Sequence, residues 1–190
     1  MPKTPVTLSD LNALDRAGFA AALASVFEGA PAFVAQAWDA RPFATVAALH
    51  QALAVAMYAA GPEQQVALIA AHPDLVGRAA LAGTLSREST QEQAAAGLAR
   101  LTPDDIAAFT RLNAAYRDRF GFPFVICARE NKKESILAGF ATRLEHTRAE
   151  EIDTALAEIA KIAALRLADL VACLTPARAA GDRYPRPGPA

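Results

Sequence analysis

Three side chains in this chain pair a reactive group with neighbours that would hold it still: His72, Glu92 and Arg166. His72 stands in Ala71-His72-Pro73-Asp74-Leu75, where a helical pattern ends. An imidazole takes or gives a proton near neutral pH, and the proline after it restricts the backbone that carries it. The bland alternative is a histidine that only complements a helix dipole. Glu92 stands in Ser89-Thr90-Gln91-Glu92-Gln93, whose first four residues read as a capping box with Ser89 as N-cap and Glu92 at N3. That role is structural, yet such a terminus also gathers polar groups and free N–H donors that suit an anion or a carbonyl. Arg166 lies beside a core stripe, between Ala163 and Leu170. It either snorkels to a surface acid or presents a planar donor to a carboxylate or urea-like group. Arg129 and Lys132-Lys133 read as a solvated basic turn that could also meet an anion. His50 sits among apolar residues and His146 among charged ones, so both read as structural or solvated.

The elements that must position these groups are helices, with one exception. Phe120-Gly121-Phe122-Pro123-Phe124-Val125-Ile126-Cys127-Ala128 is the only run that reads as a strand. A strand among helices has no ladder to join, so its N–H and C=O groups need side chains, water or a ligand. The run is therefore a candidate binding edge, or else an apolar connector buried under helices.

Helix punctuation is legible around it. Ser9 reads as an N-cap before Leu11 and Leu14, Gly29 stops an apolar run from Phe19 to Phe27, and Pro31 can open a helix carrying Phe33, Val34 and Trp38. Gly61-Pro62 separates a long helix from a short one ending at His72. Thr102-Pro103-Asp104-Asp105 opens a helix with a stripe of Ile106, Phe109, Leu112, Tyr116 and Phe120 that Gly121 ends. Another helix covers roughly residues 132–144, and a last one roughly 148–174, striped by Ile152, Leu156, Ile159, Ala163, Leu167, Leu170 and Leu174. The fold class expected is all-α, a single domain of about eight helices over residues 1–175. Residues 176–190, rich in Pro and Gly, read as a disordered tail.

Composition narrows the partners. The chain's 190 residues can bury one core without staples, and its 53% hydrophobic content is largely alanine, which favours helix packing. Residues 42–62 carry no formal charge but are too polar and alanine-rich for a membrane span. Nineteen Lys and Arg against twenty Asp and Glu leave a charge of −1 and no basic block for nucleic acid. Cys127 and Cys173 lack metal-ligand spacing and fit a reduced compartment. No signal peptide is expected at the start, and the expected address is the cytoplasm.

In order, Ala-His-Pro-Asp-Leu, Ser-Thr-Gln-Glu-Gln, Phe-Gly-Phe-Pro-Phe-Val-Ile-Cys-Ala-Arg and Lys161-Ile162-Ala163-Ala164-Leu165-Arg166-Leu167 make a specific series. Together with Trp38-Asp39-Ala40-Arg41-Pro42-Phe43, it resembles the OHCU decarboxylase family over roughly residues 7–174. That family converts 2-oxo-4-hydroxy-4-carboxy-5-ureidoimidazoline to (S)-allantoin in urate breakdown. The resemblance implies an all-helical homodimer that acts on a small molecule with no metal and no organic cofactor. It also implies that His72 transfers the proton, oriented by Glu92, that Arg166 is an active-site arginine and that Pro73 binds substrate. Its two binding stretches fall on Ser89, Thr90, Gln91, Glu92 and Gln93, and on Phe124, Val125, Ile126, Cys127 and Ala128. Glu28-Gly29-Ala30-Pro31-Ala32-Phe33 departs from the pattern, which carries Ser before the Pro and Trp in place of Phe33. The competing readings are a non-catalytic domain that binds a purine breakdown product and a hydrolase of a ureido or cyclic amide bond.

Overall fold

A computed structural model describes residues 6–29, 32–98 and 100–171. Among them are nine α-helices and two 3-10 segments, with no strand longer than a single bridge. The all-α expectation holds. The helices are α1 (Leu8–Ala13), α2 (Arg16–Ala22), α3 (Val46–Ala59), α4 (Pro62–Ala70), α5 (Arg78–Leu81), α6 (Arg87–Ala95), α7 (Pro103–Phe120), α8 (Lys133–Arg143) and α9 (Arg148–Leu170). The 3-10 segments are Ala32–Ala40 and Ala128–Glu130.

Side-chain caps start these helices. Thr102 accepts from Asp105 N–H while the Asp105 carboxylate accepts from Thr102 N–H, so two otherwise orphaned donors are satisfied at the head of α7. Thr147 and Glu150 do the same for α9. The first helix begins earlier than expected: Thr7, not Ser9, is its N-cap, because Thr7 and Asp10 close a capping box. Gly121 ends α7 with φ 81°, a left-handed conformation in which a side chain would be strained. Helix α9 stops at Leu170, short of the expected end at Leu174, since Val6 N–H donates to Leu170 O and Val6 bridges Val171. Pro31, Cys173, Leu174 and the expected tail lie outside the described residues.

Helix α9 lies at the centre, packed by α3 and α4, and buries Ala155, Leu156, Ile159, Ala163 and Leu167. His50 Nε2 lies 2.8 Å from Ala160 O and ties α3 to α9, a structural role as expected. Beside α9 runs the chain between α7 and α8. It is extended as the sequence suggests, but it joins no ladder, and Phe122, Phe124, Val125 and Cys127 are buried along it.

Candidate active site

His72 closes α4: its N–H donates to Ile69 O and its ring Nδ1 lies 2.9 Å from Leu68 O. A carbonyl only accepts, so Nδ1 carries the ring proton and Nε2 is the basic nitrogen of a neutral imidazole. Burial pulls its pKa below the usual histidine value, and Arg166 pulls the same way; the Leu68 hydrogen bond and the charge of Glu28 oppose them. The residue that orients His72 is thus Leu68, through its carbonyl, and not Glu92 as expected. The loop that follows is clamped from two helices. Gln93 of α6 accepts from Val76 N–H at 3.1 Å, Asn113 of α7 donates to Leu75 O at 2.8 Å, and Arg117 of α7 donates to both Asp74 oxygens. The clamps hold Val76 at φ 54°, where a β-branched residue is strained.

Glu92 and Arg166 form a fork. Arg166 Nε meets Glu92 Oε1 and Arg166 Nη2 meets Glu92 Oε2, each at 2.7 Å, which is the bidentate geometry of a strong charge-assisted pair. The expected N-cap is displaced by three residues: Ser86, not Ser89, is the N-cap of α6, accepting from Ser89 N–H at 3.1 Å. Thr90 N–H goes to Ser86 O, so the stretch from Ser89 to Gln93 sits inside the helix and offers side chains rather than backbone donors.

A second carboxylate, absent from the sequence-based expectation, completes this cluster. Glu28 Oε1 accepts from Ser89 Oγ at 2.7 Å and from Arg166 Nη2 at 3.0 Å. Burial would raise its pKa, but the Ser89 hydrogen bond and the Arg166 charge outweigh it and hold the carboxyl below its usual range. Arg166, with burial opposed by Glu92 and Glu28, is held above its usual value. One signal could have found Glu28: it is the sole charge between Arg16 and Asp39, in a run that is otherwise apolar or uncharged.

The extended run supplies the opposite wall. Phe124, Val125, Ile126 and Ala128 line a narrow cleft of about 30 Å³ together with His72, Pro73, Ser89, Glu92, Gln93 and Arg166. Thr90, Gln91 and Cys127 stand outside it. Thr90 is exposed and returns its hydroxyl to Ser86 O, and Gln91 lines an adjoining basin. Cys127 is buried with its N–H donated to Glu158 Oε2, and burial, with Glu130 nearby, pushes its thiol up to about 11. Neither backbone group of Ile126 makes a hydrogen bond among the described residues. The run is held by Arg143 of α8, which donates to Val125 O at 2.7 Å and stacks over Phe124. Arg143 pairs with Glu151, which is fully buried and also accepts from Tyr116; His146 Nδ1 lies 2.9 Å from the other Glu151 oxygen. No described group of three His, Cys, Asp or Glu side chains could hold a metal ion.

The family model for OHCU decarboxylase matches residues 12–168. The chain belongs to the OHCU decarboxylase family. Among its relatives is the 2-oxo-4-hydroxy-4-carboxy-5-ureidoimidazoline decarboxylase of Halalkalicoccus jeotgali, 39% identical over 167 residues, spanning 88% of this chain and 93% of that protein. The mouse protein of the same name, from Mus musculus, is 38% identical over 85% of this chain and 90% of its own length. A crystal structure of (S)-allantoin synthase superposes with a TM-score of 0.67 at 29% identity, over 88% of this chain and 54% of that one, so this chain spans about half of it. The fold alone is shared with an OHCU decarboxylase crystallised in the presence of (S)-allantoin, at TM-score 0.60 and 23% identity over 73% of this chain and 89% of that one.

Proposed function

We propose that this member of the family is a carboxy-lyase that converts 2-oxo-4-hydroxy-4-carboxy-5-ureidoimidazoline to (S)-allantoin and CO2 in urate degradation. The observation that supports it most is His72, held neutral with Nδ1 tied to Leu68 O, in a cleft whose other polar groups are the Glu92–Arg166 fork and an extended backbone. The substrate's name places its hydroxyl and carboxylate on one carbon, beside the ring carbon that bears the ureido group. When the bond to CO2 breaks, its electron pair passes into the ring, where the imine nitrogen accepts it and a proton from solvent. The resulting enol gives up its hydroxyl proton and gains one on the neighbouring carbon. The substrate's own ring therefore serves as the electron sink. His72 Nε2 takes the hydroxyl proton and delivers a proton to one ring face, which makes the product a single enantiomer. A ureido group offers N–H donors and a carbonyl acceptor, complementary to Glu92 and Arg166, and the backbone of Ile126 matches a ring amide.

The reading extends to a cytoplasmic homodimer whose residues 1–175 form one domain and which binds neither nucleic acid nor membrane. No described helix is long and apolar enough to cross a membrane. The test is circular dichroism of product while urate oxidase and hydroxyisourate hydrolase supply substrate. The protein should give a rapid (S)-allantoin signal, and His72→Ala should lose roughly 10²–10⁴-fold in rate while keeping its helical spectrum. Slow racemic product in both samples would leave only a binding domain, and released ammonia would point to a hydrolase.

A further inference from the structure

The cleft at His72 is not the largest space in the molecule. At about 30 Å³ it is narrow, whereas a neighbouring basin of about 360 Å³ lies in the range of small-molecule sites, roughly 300–1,000 Å³. The two share a wall: Glu92 and Arg166 line both. The rest of the basin wall carries Arg87, at the start of α6, and Arg129, just past the extended run, together with the carboxylates of Glu88 and Asp169. The Arg87 side chain makes no ion pair or hydrogen bond among the described residues, and Arg129 holds Asp169 at 2.6 Å, with that carboxylate mostly exposed. Arg166 itself is already matched by Glu28 and Glu92, so the cluster beside His72 has a net negative charge and does not by itself attract an anion. One Arg166 donor is loosely held: Nη1 reaches Ser25 O, another basin residue, only at 3.4 Å.

We propose that this basin is the approach site for the anionic substrate, and that Arg87 and Arg129 select for its carboxylate before the molecule reaches His72. The inference rests on the decarboxylase reading. A carboxylate resting between Arg87 and Arg129 meets two solvent-exposed cations at little desolvation cost, and the ring and ureido group then face the Glu92–Arg166 fork. Asp169 competes with the incoming carboxylate for Arg129, and Glu88, beside Arg87 on the basin wall, opposes it there. Charges at such a rim act on encounter and on salt dependence more than on the chemical step.

The experiment measures kcat and KM for the unaltered protein, Arg87→Gln, Arg129→Gln and Asp169→Asn across ionic strength, with inhibition by (S)-allantoin as a probe that lacks the carboxylate. The expected result is a KM raised about fivefold in each arginine variant and lowered in Asp169→Asn, with a flatter salt dependence in the arginine variants. Allantoin inhibition should not follow those changes, because the product has no carboxylate to lose. Unchanged KM and salt dependence in the arginine variants, beside normal turnover of the unaltered protein, overturns the approach site alone. Equal weakening of allantoin and substrate also overturns it, since the loss would then not be one of charge recognition. An unaltered protein that makes no (S)-allantoin overturns the decarboxylase reading, and the inference falls with it.

Discussion

His72 is defined by two opposing influences, and its pH behaviour follows from them. Burial favours the neutral ring, with Arg166 acting in the same sense, while Glu28 and the Leu68 carbonyl favour the imidazolium. The balance lies on the neutral side, so kcat/KM should hold on the acid side of about pH 6.5 and fall only at lower pH, as Nε2 protonates and no longer accepts. Glu28→Gln removes a charge that favours the imidazolium while leaving Ser89 an acceptor. Its acid limb should move lower still, and a pH–rate profile that does not move would detach Glu28 from the site. Stability carries the same sign: a ring kept neutral binds fewer protons folded than unfolded. Its contribution is therefore complete above about pH 6.5 and is lost as pH falls towards the folded pKa. Urea midpoints of the unaltered protein and His72→Gln, measured between those limits, should converge as pH drops.

At the scale of elements, the extended run depends on what holds it. Gly121 turns the chain out of α7, Pro123 biases Phe122 away from helix, and Arg143 with Glu158 satisfies Val125 O and Cys127 N–H in place of a sheet. Arg143 is itself held by Glu151, and the pair is shielded from water by Tyr116 and Phe124. Arg143→Met leaves the Glu151 carboxylate buried against a half-buried His146, so it should cost about 3–5 kcal/mol in urea unfolding. Arg143→Lys keeps a charge but lacks the fork. It should raise KM by loosening Val125 even where the protein remains folded, a split that a purely structural role would not produce. By contrast Thr102→Ala, at a solvated cap that lines neither the cleft nor the basin, should cost only about 1 kcal/mol and leave KM alone.

For the whole molecule, the first and last described residues meet: Val6 pairs with Val171, and α9 runs from that bridge past the support at Glu151. Arg166 on this central helix touches Ser25 and Glu28 from the first part of the chain and Ser89 and Glu92 from the middle, so the site exists only when the whole domain is folded. A product-like ligand should therefore stabilise the global unfolding transition. Saturating (S)-allantoin at about 100 times its Kd should add about 2.7 kcal/mol, read as a rise in Tm that Arg166→Ala largely loses. Sedimentation equilibrium should give twice the mass of one chain; a monomer mass would remove the homodimer from the proposal.

The residue series by itself determined the helical class, most helix boundaries and the extended interruption, and it singled out as candidates His72, Glu92, Arg166 and a run whose residues line one cleft with them. These are written locally, in apolar period, caps, glycine and proline, or in a motif order that resembles one family. What only the tertiary structure decided are pairings across long separations. The Leu68 carbonyl, not Glu92, fixes the His72 tautomer, because Glu92 is already held by Arg166. Ser86 rather than Ser89 caps α6, and the Ser89 hydroxyl donates to Glu28. Glu28 stands 138 residues from Arg166 and yet beside it. Local pattern marks Glu28 as an isolated charge but does not encode which distant guanidinium it will meet. Packing chooses it, because a charge taken out of water must find a partner wherever the fold brings one.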